Sequence, residues 1–169
     1  MKKLLFLAGF AILLLTSCDP ESLTTQSTNA IAGSYVITSL QSNVAVDLDG
    51  NGTSSTDMLS EATCVQQMTV DFNANGTFSA VVADVSFDVN NILVCTTSVE
   101  TGTYTYANGI LTVTAMFNGG SVTETQAVVL NPTNFSFTLN SNRINQAFPD
   151  LSTTRAAGIT NLDVVYTRI

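Results

Sequence analysis

The chain contains no histidine and no tryptophan, and its lysines are confined to positions 2 and 3. Each absence removes a function class. Without histidine there is no side chain that titrates near neutrality, hence no ready general base and no imidazole ligand for zinc. Basic residues are scarce as well: beyond the first 17 residues Arg143, Arg155 and Arg168 stand against 13 acidic residues, a net charge of −10. Such a chain repels phosphate backbones and has no basic cluster to displace their counterions, so nucleic acid is excluded as a partner. No glycine-rich phosphate loop is present, and Glu100 and Glu124 sit alone among Thr and Ser while Asp84 and Asp88 flank a strand end, so no carboxylate pair marks a hydrolytic centre. The expectation is a protein that is not an enzyme.

Apolar residues make one long run, and it lies at the start, where Lys2 and Lys3 precede Leu4 to Leu15 and then Thr16-Ser17-Cys18. A basic start, an apolar stretch too short to span a bilayer and small residues before a cleavage point are the parts of a secretory signal. Small residues directly before a cysteine resemble the lipobox of bacterial lipoproteins, which implies that residues 1–17 are removed and Cys18 is acylated. The polar stretch through Ala30, rich in Ser, Thr, Asn and Gln, is too poor in apolar surface to fold alone and reads as a tether over 18–30. The expected location is the bacterial cell envelope, lipid-anchored in the outer membrane on its periplasmic face or at the cell surface. The remaining 139 or so residues are enough for one domain with its own core, 31–169, and a monomer is expected.

With Cys18 acylated, Cys64 and Cys95 remain as an even pair in an oxidising compartment, which predicts a disulfide stabilising the fold by about 3–4 kcal/mol. The alternatives are two buried thiols or, less well supported without histidine, a metal pair. Within the domain, apolar residues alternate with Thr, Ser and Asn in short runs bounded by turn residues, the pattern of half-buried antiparallel strands. Eight are predicted: Ser34–Leu40, Gln66–Asn73, Thr77–Ser86, Thr97–Tyr106, Ile110–Phe117, Ser121–Leu130, Asn134–Asn140 and Asn161–Arg168. Asn73-Ala74-Asn75-Gly76, Ala107-Asn108-Gly109 and Asn118-Gly119-Gly120 supply hairpin turns, so the strands follow one another as a meander. Eight strands in simple succession predict an all-β fold, an antiparallel up-and-down barrel closed so that no edge is left to pair.

Alternation places Val36, Met68, Val70, Phe72, Phe78, Tyr104, Tyr106, Leu111, Val113, Phe117, Phe135, Phe137, Leu162, Val164 and Tyr166 inside. These bulky side chains either pack solid or line a pocket, and aromatic stripes at period two are more often core than ligand cage. Two long connections interrupt the meander. In the first, Thr56 to Ala62 predicts one short helix of about two turns, with Thr56 or Asp57 as N-cap, placed to plug an open end. The second, Ser141 to Thr160, carries Phe148-Pro149 and Arg155 and reads as an irregular rim or lid.

Gly33-Ser34-Tyr35 at the first strand resembles the Gly-x-Trp opening of the lipocalins, with Tyr35 where that family usually carries tryptophan. The runs Val46 to Thr56, then Leu59, Glu61 and Cys64, then Thr69 to Thr77, together with Thr101-Gly102-Thr103-Tyr104 and Asn108 to Val113, are similar to small bacterial lipocalin-like lipoproteins. The resemblance covers about residues 31–168. It implies the barrel, and by analogy with the wider family it implies binding or carriage of a small hydrophobic molecule, with Tyr35, Phe72, Phe78, Tyr104, Tyr106, Phe117, Phe135 and Phe137 as candidate contacts. The alternative is a structural or interaction lipoprotein with a filled core, whose loops meet a protein, envelope or glycan partner.

One further motif is separate from the barrel pattern. Asp47, Asp49, Asn51 and Gly52 fit the opening half of the calcium-loop pattern D-x-[DN]-x-[DN]-G. The glutamate due at the twelfth position is Met58 and no helix precedes Asp47, so this is not an EF-hand. Asp47, Asp49, Asn51 and Thr53, with Asp57, could hold a weak Ca²⁺; the residue types fit a self-capped polar turn better, and no other cofactor is expected.

Overall fold

The computed structural model describes residues 30–117, 120–148 and 158–169. The expected signal segment, Cys18, nearly all of the tether, the Asn118-Gly119 turn, Pro149 and Arg155 lie outside the described residues.

The described chain is mostly antiparallel sheet. Its strands are β1 (Gly33–Val46), β2 (Ser55–Asp57), β3 (Thr69–Phe72), β4 (Thr77–Phe87), β5 (Leu93–Ala107), β6 (Ile110–Phe117), β7 (Gly120–Ala127), β8 (Val129–Leu130), β9 (Asn134–Asn140) and β10 (Asn161–Arg168). Hydrogen bonding runs in the order β7-β6-β5-β4-β3-β1-β10-β9-β8, with β2 paired to β1 alone. Since β7 and β8 are one pass of chain interrupted only at Val128, the two ends of this order are the same strand. Eight passes therefore form the ring that the meander predicts. The ring is laddered at its base, where Val129 and Leu130 pair with Ser136 and Phe135. Above Val128, β7 pairs only with β6, so the barrel is split along one side between β7 and β9.

Turn chemistry sets the lower end. Asn108 and Gly109 both take positive φ, 51° and 78°, the conformation of a two-residue hairpin turn that matches strand twist. At the other end of β5, the Asp88 carboxylate accepts from the backbone N–H of Ile92 at 2.8 Å and of Asn90 at 2.9 Å, which holds its pKa below the usual carboxylate range.

Strand phase agrees with alternation except in β1 and toward the end of β4, where Ala83 and Val85 are buried on the face opposite Phe78, Ala80 and Val82. In β1, Tyr35 and Ile37 are buried, and Val36, paired with Thr69 and Thr167, lies on the other face. A bulge between Ile37 and Ser39 then returns Leu40 to the inner face opposite Val164. The expected placement of Val36 inside is corrected by this register: with β-branched and aromatic residues at consecutive positions, periodicity does not choose the phase, and the pairing Tyr35↔Val70 does.

The first long connection is more ordered than expected. Strand β1 continues to Val46 because β10 and then β2 supply partners, and the helix is one turn, α1 (Met58–Glu61), rather than two. Asp57 is its N-cap and accepts from Leu59 N at 3.1 Å. A 3-10 turn, Val65–Gln67, follows where the sequence predicted the start of a strand. Strand β3 has only four residues against eleven in β4, and this α1 to 3-10 segment packs on β1 and β4 beyond its end, fastened to β5 by the disulfide Cys64–Cys95. The second connection opens with α2 (Ser141–Ala147), capped by the Asn140 side chain accepting from Arg143 N at 3.2 Å. Its Ile144 is buried, as is Phe148 just beyond it, and this i, i+4 apolar pair is a helical signal within a segment otherwise read as irregular.

Candidate functional site

The barrel interior divides into a packed base and a hollow. At the base, Tyr35, Phe72, Tyr104 and Phe135 form a ring cluster, with centroids 4.9 Å apart for Tyr35–Phe135 and 4.7 Å for Phe72–Tyr104. Tyr35 is the keystone. Its hydroxyl donates to Ile31 O at 2.9 Å and accepts from Arg168 Nη2 at 2.6 Å, while the Arg168 guanidinium lies 5.1 Å from the ring centroid. The start of the first strand is thus fixed to the end of the last. Tyr104 donates to Asn73 O at 2.8 Å, tying β5 to the β3–β4 turn, and burial pushes its phenol pKa up, with the neighbouring Tyr35 phenol adding to the effect.

Gly102 explains how the strands close above this base. A Cβ at that position would lie 2.0 Å from Thr114 O and 2.9 Å from Phe78 Cε1. The absence of a side chain lets β5 and β6 approach over the Phe78 ring.

Above the base lies a cavity of about 400 Å³, walled by residues of β3 to β7, β9 and β10. Its apolar lining includes Val70, Phe72, Phe78, Ala80, Val82, Leu111, Val113, Ala115, Phe135 and Phe137. It continues to the split side as a second hollow of about 370 Å³ that shares Leu111, Val113, Glu124 and Phe137 and is bounded by Leu139 and by Arg143 and Gln146 of α2. Both volumes fall in the range of small-molecule sites, about 300–1,000 Å³, and the walls are mostly apolar with a few polar groups, as such sites usually are.

Those polar groups are specific. Glu100 and Glu124 stand on the inner phase of β5 and β7, opposite Ala80 and Val113 respectively. Glu124 is ion-paired with Arg143, whereas among the described residues Glu100 carries no ion pair. Tyr166 lines the cavity at 7% exposure, stacked on Phe135 with centroids 5.0 Å apart. Burial pushes its phenol pKa far up, and no hydrogen bond engages its hydroxyl among the described residues. The split itself is bridged by side chains instead of a ladder: Arg143 Nη2 donates to Thr125 O at 2.7 Å, and Gln126 Nε2 donates to Thr138 O at 3.4 Å.

Of the candidate contact residues, Phe72, Phe78, Phe135 and Phe137 face the cavity. Tyr35 and Tyr104 lie below it in the packed base, Tyr106 is half-buried near the lower turn, and the Phe117 side chain lies outside the described residues. The sequence reading did not single out Tyr166, Glu100, Arg143 or Gln126 for the site. Tyr166 and Leu111 carried the inward phase and were legible as lining; the part played by Arg143 depends on α2 reaching across to β7.

The candidate metal loop is also ordered. Asp47 Oδ2 accepts from Gly52 N at 2.9 Å, and Asp49 accepts from Asn51 N at 3.0 Å and from Asn51 Nδ2 at 2.8 Å. Asn51 Oδ1 accepts from Thr53 N at 2.7 Å, so Asn51 and Thr53 close the turn on itself. Asp57 is occupied in capping α1. Glu61, which the calcium-loop spacing did not point to, brings its carboxylate to Asp47 and Asp49, with one ligand oxygen from each of the three within 4.8 Å of the others.

A small antiparallel barrel with a sealed aromatic base, a helix at its rim and an apolar hollow defines the class of cup-shaped ligand-binding barrels. Residues 31–144 match the family described as the lipocalin-like domain, and the chain belongs to that family. No curated protein matches the sequence. Lipocalin-like domains are typically binding proteins rather than enzymes.

Proposed function

We propose that this protein is a lipid-anchored carrier of the bacterial cell envelope that holds a small, mainly apolar molecule in the hollow between β3–β7 and β9, without catalysing a reaction. The observation that carries the reading is the apolar cavity of about 400 Å³ inside a lipocalin-like barrel. Support for the anchor comes from Lys2, Lys3, the apolar run and the small residues before Cys18; acyl chains on one terminus add about 0.8 kcal/mol of membrane affinity per buried methylene. Outer-membrane placement and a monomeric state belong to the same proposal.

The cavity's polar groups narrow the ligand. Glu100 projects a carboxylate with no ion-pair partner among the described residues into an apolar wall, which disfavours a bound anion and favours a neutral or cationic head group. The Tyr166 hydroxyl offers one further hydrogen bond. Access is through the split between β7 and β9, where the polar contacts among the described residues are those of Arg143 with Glu124 and Thr125 O and of Gln126 with Thr138 O, which opening would break.

The test is a titration with three probes of equal alkyl length, an alcohol, an amine and a carboxylate, read by displacement of an environment-sensitive dye. The reading expects the alcohol and amine to bind at least tenfold more tightly than the carboxylate at neutral pH. Ala115→Phe, which fills the hollow, should abolish binding of all three while the fold persists by circular dichroism. Dye and probe binding that survive Ala115→Phe would place the ligand elsewhere and remove the carrier reading.

The filled-core alternative has one observation in its favour, the solid packing of Tyr35, Phe72, Tyr104 and Phe135, but that packing occupies only the base.

A further inference from the structure

We propose that Asp47, Asp49 and Glu61 bind a calcium ion that locks the 47–53 loop to α1, at a site separate from the apolar hollow. The carboxylates come from two elements: two from the loop after β1, and one from the helical turn that follows β2. A cluster of acids on an exposed turn would need no ion. This cluster is different in two respects.

First, Glu61 is buried at 3% exposure, and one of its oxygens, Oε2, accepts from Leu48 N at 2.9 Å. A carboxylate taken out of water and set beside two others is costly unless a positive charge compensates it. None of the described basic side chains does so: Arg143 is engaged with Glu124 and Thr125, and Arg168 with Tyr35. Second, Asp47 Oδ1 is shut off from solvent and has no hydrogen-bond partner among the described residues, although Oδ2 of the same group accepts from Gly52 N. A buried acceptor without a donor is rare in folded proteins, and a bound ion accounts for it.

The chemistry fits calcium better than the alternatives. All three side chains offer hard oxygen, no histidine or free thiol is near, and the loop's backbone carbonyls and water can complete the six to eight ligands that calcium accepts in flexible arrangements. Magnesium demands a tighter octahedron and sheds water reluctantly, so it should bind more weakly here. In the sequence the loop opens as a calcium pattern but its closing acid falls at Glu61, three residues after the EF-hand position, because β2 and the first turn of α1 intervene. The expected dissociation constant is that of extracellular modules, about 10⁻⁴ to 10⁻³ M.

The experiment uses the full chain in mild detergent, stripped with a chelator and titrated with calcium chloride by calorimetry, alongside thermal unfolding with and without millimolar calcium. The proposal expects one saturable site, a rise of several degrees in Tm with calcium and a clearly smaller rise with magnesium. Glu61→Gln and Asp47→Asn keep shape and hydrogen-bond acceptors, and each should weaken calcium at least tenfold. Stripped Glu61→Gln should be as stable as the stripped parent or more so, since one like charge is gone. Absence of binding heat and of any Tm shift in the parent would overturn the proposal; so would a calcium response retained in full by both variants.

Discussion

Two buried tyrosines should respond differently to loss of one oxygen. Tyr35 and Tyr166 are both more than nine-tenths buried and both face the ring cluster. In Tyr35→Phe, Ile31 O loses a donor and Arg168 loses an acceptor. The neutral hydrogen bond contributes about 1 kcal/mol, and the one to arginine up to about 1.5–3 kcal/mol. Arg168 is exposed enough to rehydrate, which lowers its share to about 1 kcal/mol, and the guanidinium keeps its seat over the phenyl ring. The expected loss is about 2 kcal/mol, or about 4–8 °C in Tm for a domain of this size. Tyr166→Phe removes a hydroxyl that none of the described residues engages, so stability should change by less than about 0.5 kcal/mol. Urea unfolding followed by circular dichroism measures both, with unchanged slope as the sign that the denatured state is not the cause. Equal losses in the two variants, or a neutral Tyr35→Phe, would refute the division into a locked base and a hollow.

Other consequences are as direct. Gly102→Ala should cost about 3 kcal/mol or more, since a Cβ 2.0 Å from Thr114 O forces β5 and β6 apart, and chemical denaturation would register it. Breaking Cys64–Cys95 by Cys95→Ala frees a loop closed across a sequence separation of 31, worth about 3–4 kcal/mol in the chain-entropy view, and should lower the urea midpoint accordingly. The Tyr166 phenol has its pKa raised in the fold, so its contribution to stability is intact below the unfolded value near 10 and is lost as pH rises toward the folded one. Tyr166→Phe should therefore shift alkaline unfolding to higher pH. Arg143→Met should loosen the split and quicken dye release several-fold in stopped-flow, with little effect on the urea midpoint.

The strands were legible because each half-buried pass alternates and each turn carries Asn or Gly, as at Asn108-Gly109. Succession of hairpins was then enough for the order of the ring. What the sequence did not carry were features that depend on distant partners. The phase of β1 is decided by the bulge at Ile37/Ser39 and by pairing with β3 and β10, and the Tyr35–Arg168 contact joins residues 133 apart. Helix α2 was hidden in a polar run, although Ile144 and Phe148 showed its spacing. The hollow itself has no sequence signature. It arises because β7 turns away from β9 above Val128, and the same aromatic alternation would suit a filled barrel. For the acidic loop the pattern was visible, but Glu61 joins it only through the path of β2 and α1.

The most direct test of the carrier reading is native mass spectrometry of the full chain released from detergent, comparing protein purified under native conditions with protein unfolded, stripped and refolded. The account predicts a mass increment of an organic molecule that stripping removes and that an envelope lipid extract restores in the parent but not in Ala115→Phe. Identical masses before and after stripping, with no uptake from the extract, would contradict it.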